Sequence, residues 1–211
     1  MLIASSTGWT MCWTRVYSLP PVRWLVYTAC SMTQPLSPEY ATALLHTIFL
    51  PALERETATT RKIIEAIPLD KGDYRPEPVA KTAVELAWHI AAAEKRFLNG
   101  IVDGEFNFAP ISRTDSERNS ADIARWYGEM IAEVLPRLRQ MSPEHLTRVL
   151  DFRGMFQMPA VNFFQTTLMH SIHHRGQLTV YLRPMGAKVP AIYGESYDSA
   201  EARKAMESKS A

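Results

Sequence analysis

The chain has 211 residues, of which 46% are apolar and 21% charged, and its formal net charge is +1. That suits one globular domain with an appendage and a sizeable core. With so neutral a balance and no run of Lys or Arg, neither nucleic acid nor an anionic membrane is expected as a partner.

Residues 1–31 read differently from the rest. They hold three of the five tryptophans and both cysteines, Cys12 and Cys30, and contain no Asp, Glu or Lys. No stretch approaches the roughly 18–20 apolar residues of a membrane span. The uncharged start and the short mixed run at 24–30 argue against an export signal. "MTQPLSPEYATALL" from Met32 reads as a normal start followed by a helix entry. Residues 1–31 are therefore taken as a misassigned upstream extension or a disordered tail. The two cysteines form no CxxC pair and no disulfide framework. Their absence from the remainder fits a reducing, cytoplasmic setting.

Four helical segments follow. Ser37-Pro38-Glu39 supplies a capping hydroxyl, a first-turn proline and an acid favoured by the helix dipole. This first helix presents Leu44, Leu45, Ile48, Phe49 and Leu53 and ends near Ile67, with a kink or break expected at Pro51. A second helix over 78–101 places Leu86, His89, Ala93 and Phe97 on one face, and Asn99-Gly100 marks its end. Residues 102–118 form a long loop. A third helix opens at Asn119 or Ser120 and runs to about Met141, with Pro136 as a bend. Ser142-Pro143-Glu144 starts one further turn, and "LDFRGMFQM" (150–158) reads as extended. The fourth helix covers 159–183 and is stopped by Pro184 and Gly186. The charged tail over 196–211 is expected to fray. Strand-type alternation is scarce, so residues 32–195 read as an all-α four-helix bundle. The 102–118 loop is long enough for the third helix to run parallel to the second, which gives an up-down-down-up order.

The chemistry concentrates in "HSIHHRGQL" (170–178), which carries three of the six histidines. Helix positions four apart lie one turn along the same face, so His170 and His174 converge. Their stripe includes Phe163, Thr167, Leu178 and Tyr181, which marks it as inward-facing. Two buried, unpaired imidazoles are costly. A metal ion at about 2.0–2.1 Å from each satisfies both. The bland alternative is a pair of satisfied core histidines. His173 shares its face with Thr166, Met169 and Gly176 and reads as exposed or supporting. A further ligand must come from elsewhere: His89, beside Trp88 on the second helix, or His46 on the first, with His145 the weakest candidate. Spacing alone leaves these open.

Two stretches resemble the DinB/YfiT-like family of metal-dependent four-helix bundles. "LMHSIHHRGQLTVYLRPMGAKVPAIYG" (168–194) is similar to its H-x-x-x-H-R-G-Q helix and the short tail behind it. "ELAWHIAAAEKRFLNGI" (85–101) resembles its second helix. The resemblance spans roughly 35–194. It implies that His89, His170 and His174 hold a divalent metal (zinc, nickel or iron) and that His174 rather than His173 is the ligand. It also implies roles near the site for Arg175 and Gln177. The plain reading of this stretch is structural, with Arg175 as a salt-bridging or capping residue and Gly176 as a close helix contact. Glu94 either orients a ligand or is a solvated charge, the latter being the expectation from its residue type. The family further implies thiol-dependent S-transfer to small electrophiles, with a low-molecular-weight thiol as cosubstrate, in stress response or detoxification, and a homodimer. Metal-dependent hydrolysis and a non-catalytic metal-binding bundle are the alternatives. No H-E-x-x-H pairing is present, so hydrolysis ranks lower. A small-molecule pocket is expected between the first helix, the 102–118 loop and the 145–158 segment.

Overall fold

The computed structural model describes residues 36–114 and 116–210. The extension expected over 1–31 lies outside them. The described residues are mostly helical, with a small two-stranded sheet.

The first helical segment is one continuous rod in three parts: α1 (Pro38–Leu44), a π-helical turn (Leu45–Phe49) and α2 (Leu50–Glu65). Ser37 accepts the Tyr40 N–H and Pro38 occupies the first turn, as the sequence suggests. Pro51 neither breaks the rod nor leaves a gap. The Leu50 N–H reaches back to the Leu45 carbonyl, and this one extra residue in the turn absorbs the proline ring. The turn also rotates Ile48 outward to 52% exposure, against the expectation that it faces the core.

α3 (Ala83–Asp103) starts later than expected. Thr82 accepts the Glu85 N–H and the Glu85 carboxylate accepts the Thr82 N–H, a reciprocal cap that outcompetes a start at Pro78. The Ala83 and Val84 N–H groups donate to the Tyr74 and Gly72 carbonyls of the preceding loop. Gly100 does not end the helix. It lies inside it, and its bare face receives the Phe106 ring. The stop is Gly104, at φ 79.

α4 (Ser120–Arg139) is capped by Asn119 and accommodates Pro136 on an exposed face. The 104–119 loop folds back over α3. Trp88 Nε1 donates to the Ile111 carbonyl, and Arg96 donates to the carbonyls of Asn107 and Ala109. A short α5 (Pro143–Thr147) leads into the hairpin of β1 (Val149–Phe152) and β2 (Phe156–Pro159). Arg153 and Gly154 are both left-handed at its tip, and Asp151 accepts the Gly154 N–H. After a 3-10 turn (Ala160–Asn162), α6 (Phe163–Leu182) carries the histidine motif. The tail does not fray as expected. It forms α7 (Tyr197–Ser210), opened by Ser196, which accepts the Ser199 N–H, and laced by Arg203 between Glu195 and Glu207.

α3 packs on α6 and α4, and α2 packs on the same two helices. Asp103 pairs with Arg137, and Trp88 lies 4.7 Å from Trp126. Ser120 donates to the Ile67 carbonyl. Phe97, Phe106, Phe152, Phe156 and Phe163 interlock where the hairpin meets α3 and α6. Among the described residues, no helix is long and apolar enough to cross a membrane.

Thr82 carries a specific load. Thr82→Ala is expected to cost about 1 kcal/mol and to lower the thermal midpoint by about 2–4 °C, read by circular dichroism. An unchanged midpoint would mean that the loop carbonyls hold this helix start without the cap.

Candidate metal centre

His89 projects from α3 toward α6, where His170 and His174 project back one turn apart. Ring centroids lie 5.1 Å apart for His89–His170, and 4.5 Å for both His89–His174 and His170–His174. One nitrogen from each ring can be chosen so that all three lie within 4.8 Å of one another. His89 Nε2 and His174 Nε2 stand 3.1 Å apart. Two nitrogens each about 2.1 Å from one ion are about 3.0–3.4 Å apart for angles between a right angle and the tetrahedral value. The observed pair therefore fits the bite of a single cation without rearrangement.

Two further features fit a metal. The His174 Nδ1–H donates to Gln177 Oε1 at 2.7 Å, which turns the Nε2 lone pair toward the cluster. His170 Nδ1 is buried with no hydrogen-bond partner among the described residues. An orphaned buried polar group costs about 1–3 kcal/mol, and a cation bound at Nδ1 would remove the penalty. Burial holds His89 down to about 4, helped by the charges of His174, Lys81 and Arg96. Burial likewise holds His170 down to about 4, helped by the charges of His174, His89 and His173. Both rings are neutral at pH 7, the form that offers a lone pair.

The other histidines stay out of the cluster. His173 is exposed, as expected from its face. His46 is exposed on the π turn. His145 Nε2 binds the Ile101 carbonyl at 2.8 Å and so ties α5 to α3.

Glu94 overturns its expectation. It is 2% exposed, not solvated, and accepts a 2.5 Å bond from the Ser171 hydroxyl. Burial raises its carboxyl to about 7, against the pull of Ser171, Tyr127 and the Arg175 charge. Arg175 is 1% exposed and faces α2. Its guanidinium pairs with Glu56 at 2.6 Å and donates to the Tyr193 hydroxyl, the Glu56 carbonyl and Thr60. The salt-bridge reading of Arg175 is the one the contacts support. Gln177 touches the cluster directly.

Two clefts flank the histidines. One, about 520 Å³, is lined by Lys81, Trp88, His89, Arg96, Ile111 and Arg113 among others. The other, about 510 Å³, is lined by Leu86, His174, Gln177, Val180 and Tyr181, and shares Lys81. The 102–118 loop contributes as expected. The first helix and the 145–158 segment line neither cleft. The π turn and hairpin instead carry Phe49, Phe152 and Phe156 into aromatic packing against Phe164 and Phe163. Trp88, Ala92 and Arg96 of α3 were not singled out from the sequence as cleft residues, although with Glu85 and His89 they share the three-and-four spacing of one face.

Elemental analysis of the full-length chain, made without a histidine tag, is expected to find one divalent metal per chain. His89→Ala, His170→Ala and His174→Ala each lose it, and His173→Ala keeps it. Gln177→Ala weakens it about tenfold or more. Metal retained by His174→Ala would remove that ring from the site.

The metal-free chain should also show a two-sided pH profile. His89 and His170 have folded values below the unfolded 6.5, so the unfolded chain binds more protons and stability falls as pH drops from about 6.5 to about 4. Glu94 is raised from 4.5 to about 7, so its contribution is full below 4.5 and is lost as pH rises through 7. Urea midpoints from pH 4 to 8 should pass through a maximum. Glu94→Gln should flatten the alkaline side alone.

The sequence profile of the DinB family matches residues 42–207. The uncharacterized protein YjoA of Bacillus subtilis is 30% identical over 129 residues, which is 60% of this chain and 82% of that protein. YrdA, also uncharacterized and from the same organism, is 28% identical over 69% of this chain and 86% of its own length. The crystal structure of the DinB-like YjoA superposes with a TM-score of 0.57 at 26% identity, covering 70% of this chain and 99% of YjoA. A DinB-like protein from Bacillus cereus ATCC 10987 superposes equally well, with a TM-score of 0.57 at 27% identity over 69% of this chain and 95% of its own. With a profile match over most of the chain and these structures sharing its fold, the chain belongs to the DinB family.

Proposed function

We propose that this protein is a divalent-metal-dependent enzyme that catalyses thiol-dependent S-transfer to small electrophiles, serving stress response or detoxification in the cytoplasm as a homodimer. The observation that carries the reading is the convergence of three imidazoles, with no carboxylate among them, at the edge of two open clefts. Three neutral donors leave coordination positions open. A bound divalent ion supplies Lewis acidity that keeps a thiol ionised near neutral pH. Zinc, nickel and iron all suit imidazole donors. His89 faces one cleft and His174 the other, which supports a reaction that brings two substrates together.

Hydrolysis is the second reading, because Glu85 shares the His89 cleft. Its carboxylate is occupied by the Thr82 N–H at 2.8 Å, which also holds it low, so it is a poor base. Glu94 is turned to Ser171. A non-catalytic metal-binding bundle is the third reading. The up-down-down-up helix order belongs to the same proposal. It is supported by the pairing of Asp103 with Arg137 at the C-terminal ends of α3 and α4, and by the Ser120–Ile67 bond between the start of α4 and the end of α2.

The test loads the full-length chain with zinc, nickel or ferrous iron and adds 2-mercaptoethanol and 1-chloro-2,4-dinitrobenzene. A C–S bond forms, the C–Cl bond breaks, chloride leaves and the thiol proton passes to solvent. The expected result is a metal-dependent rate at least tenfold above the metal-free chain, lost with His170→Ala and kept with His173→Ala. Ester cleavage without thiol would favour hydrolysis. One metal per chain with no turnover of several thiols and electrophiles would leave the binding bundle.

A further inference from the structure

We propose that the His89-side cleft is an anion-recognition subsite: it takes the carboxylate or phosphate group of a small substrate whose reacting atom lies at the histidine cluster. The proposal rests on the transfer reading for the reaction, but not for the binding of the anion.

The chain as a whole is nearly neutral, yet this cleft gathers Lys81, Arg96 and Arg113 around Trp88 and His89. Arg96 lies seven residues after His89, two turns along the same face of α3. Its Nε and Nη2 donate to the carbonyls of Asn107 and Ala109 at 3.1 and 2.9 Å. Those neutral acceptors fix the fork in place without cancelling its charge, and Nη1 is left for a ligand. Among the described residues, no carboxylate lies within ion-pairing distance of any of the three cations. Glu85, the one carboxylate in the cleft, is held by the Thr82 N–H and keeps its charge near Lys81, so three cations face a single anion there. Trp88 is held by its bond to the Ile111 carbonyl at 3.0 Å and offers a flat apolar wall for the rest of the molecule.

The opposite cleft has none of this. Apart from the shared Lys81, its walls are Ala80, Leu86, Val180, Tyr181, His174 and Gln177. The charged group of a substrate therefore belongs on the His89 side. A cleft of about 520 Å³ takes a small molecule.

The test is calorimetric titration of the zinc-loaded full-length chain at low ionic strength with succinate, mercaptosuccinate and 2-mercaptoethanol. Where the thiol carries the anion, mercaptosuccinate binds at least about tenfold tighter than 2-mercaptoethanol. Where the electrophile carries it, succinate and mercaptosuccinate bind alike, with no added gain from the thiol. In both cases Lys81→Gln, Arg96→Gln and Arg113→Gln each weaken the anionic probe about fivefold, leave 2-mercaptoethanol unchanged, and added salt weakens the anionic probe alone. Lys81 and Arg113 are exposed and hold no loop carbonyl, so they keep the test decisive if Arg96→Gln disturbs the loop. Matched thiols with no succinate binding, or anion binding indifferent to all three substitutions, overturns the proposal. Succinate binding that depends on these cations, with no binding of 2-mercaptoethanol, supports the subsite and sinks the transfer reading instead.

Discussion

The structure depends on the contact between α3 and α6, because that seam holds half-buried polar rings where a helical core normally places leucine. Room for them comes from small neighbours. Ala91, Ala92 and Ala93 follow directly after His89 and Ile90, and all are buried. Registry comes from a second polar contact on the same seam. Ser171, the residue after His170, is bonded to the buried Glu94. A slip of one residue along α6 would rotate its side chains by about 100°, breaking this bond and swinging both histidines out of the cluster together. The hydrogen bond and the imidazole cluster therefore specify the same alignment.

α6 is consequently not an ordinary amphipathic helix. His174 looks toward α3, while the next residue, Arg175, is buried against α2 with Glu56, Thr60 and Tyr193. Consecutive residues about 100° apart serve two different polar layers. Tyr193 binds both Arg175 and Glu56, so the segment after α6 is fastened to α2 through the same guanidinium. A buried ion pair is weak evidence for stability, since desolvation offsets much of the attraction. Its clearer consequence here is geometric: the helix carrying two of the three histidines is held on both sides by directional bonds.

The pairing of His170 with His174 was legible in the sequence because helical spacing alone puts them on one face, and Phe163, Leu178 and Tyr181 show that the face is buried. His89 was less so. A lone histidine on an apolar stripe has no local signature, and only tertiary contact or family resemblance singles it out from His46 and His145. Glu94 was misread because a glutamate in a helix is ordinarily solvated. Nothing nearby in sequence announces Ser171 or Tyr127, which are 77 and 33 residues away, as its surroundings. The α3 start was misplaced because Pro78 is a good first-turn residue, while Thr82 and Glu85 cap each other reciprocally. The hairpin, α7 and the π turn rest on turn and cap chemistry of a few residues, which hydrophobic periodicity does not report.

The packing around His170 links stability to the proposed chemistry. The Phe97 ring stands 5.8 Å from it, and Phe97 is stacked in turn on Phe152 at the hairpin. This apolar floor disfavours the imidazolium and leaves Nδ1 without a partner. Both effects burden the metal-free protein. A proton and a cation compete for the same lone pair, so surroundings that repel the proton reduce the competition a divalent ion meets at neutral pH. A single proton on one ring leaves the other rings neutral and adds charge to an apolar site. A cation shared among three rings spreads its charge over all of them and meets their lone pairs together. Toward the floor the site is closed by aromatic rings, and toward the clefts it is open. An ion held there would therefore find its remaining coordination positions on the side where a small molecule can enter.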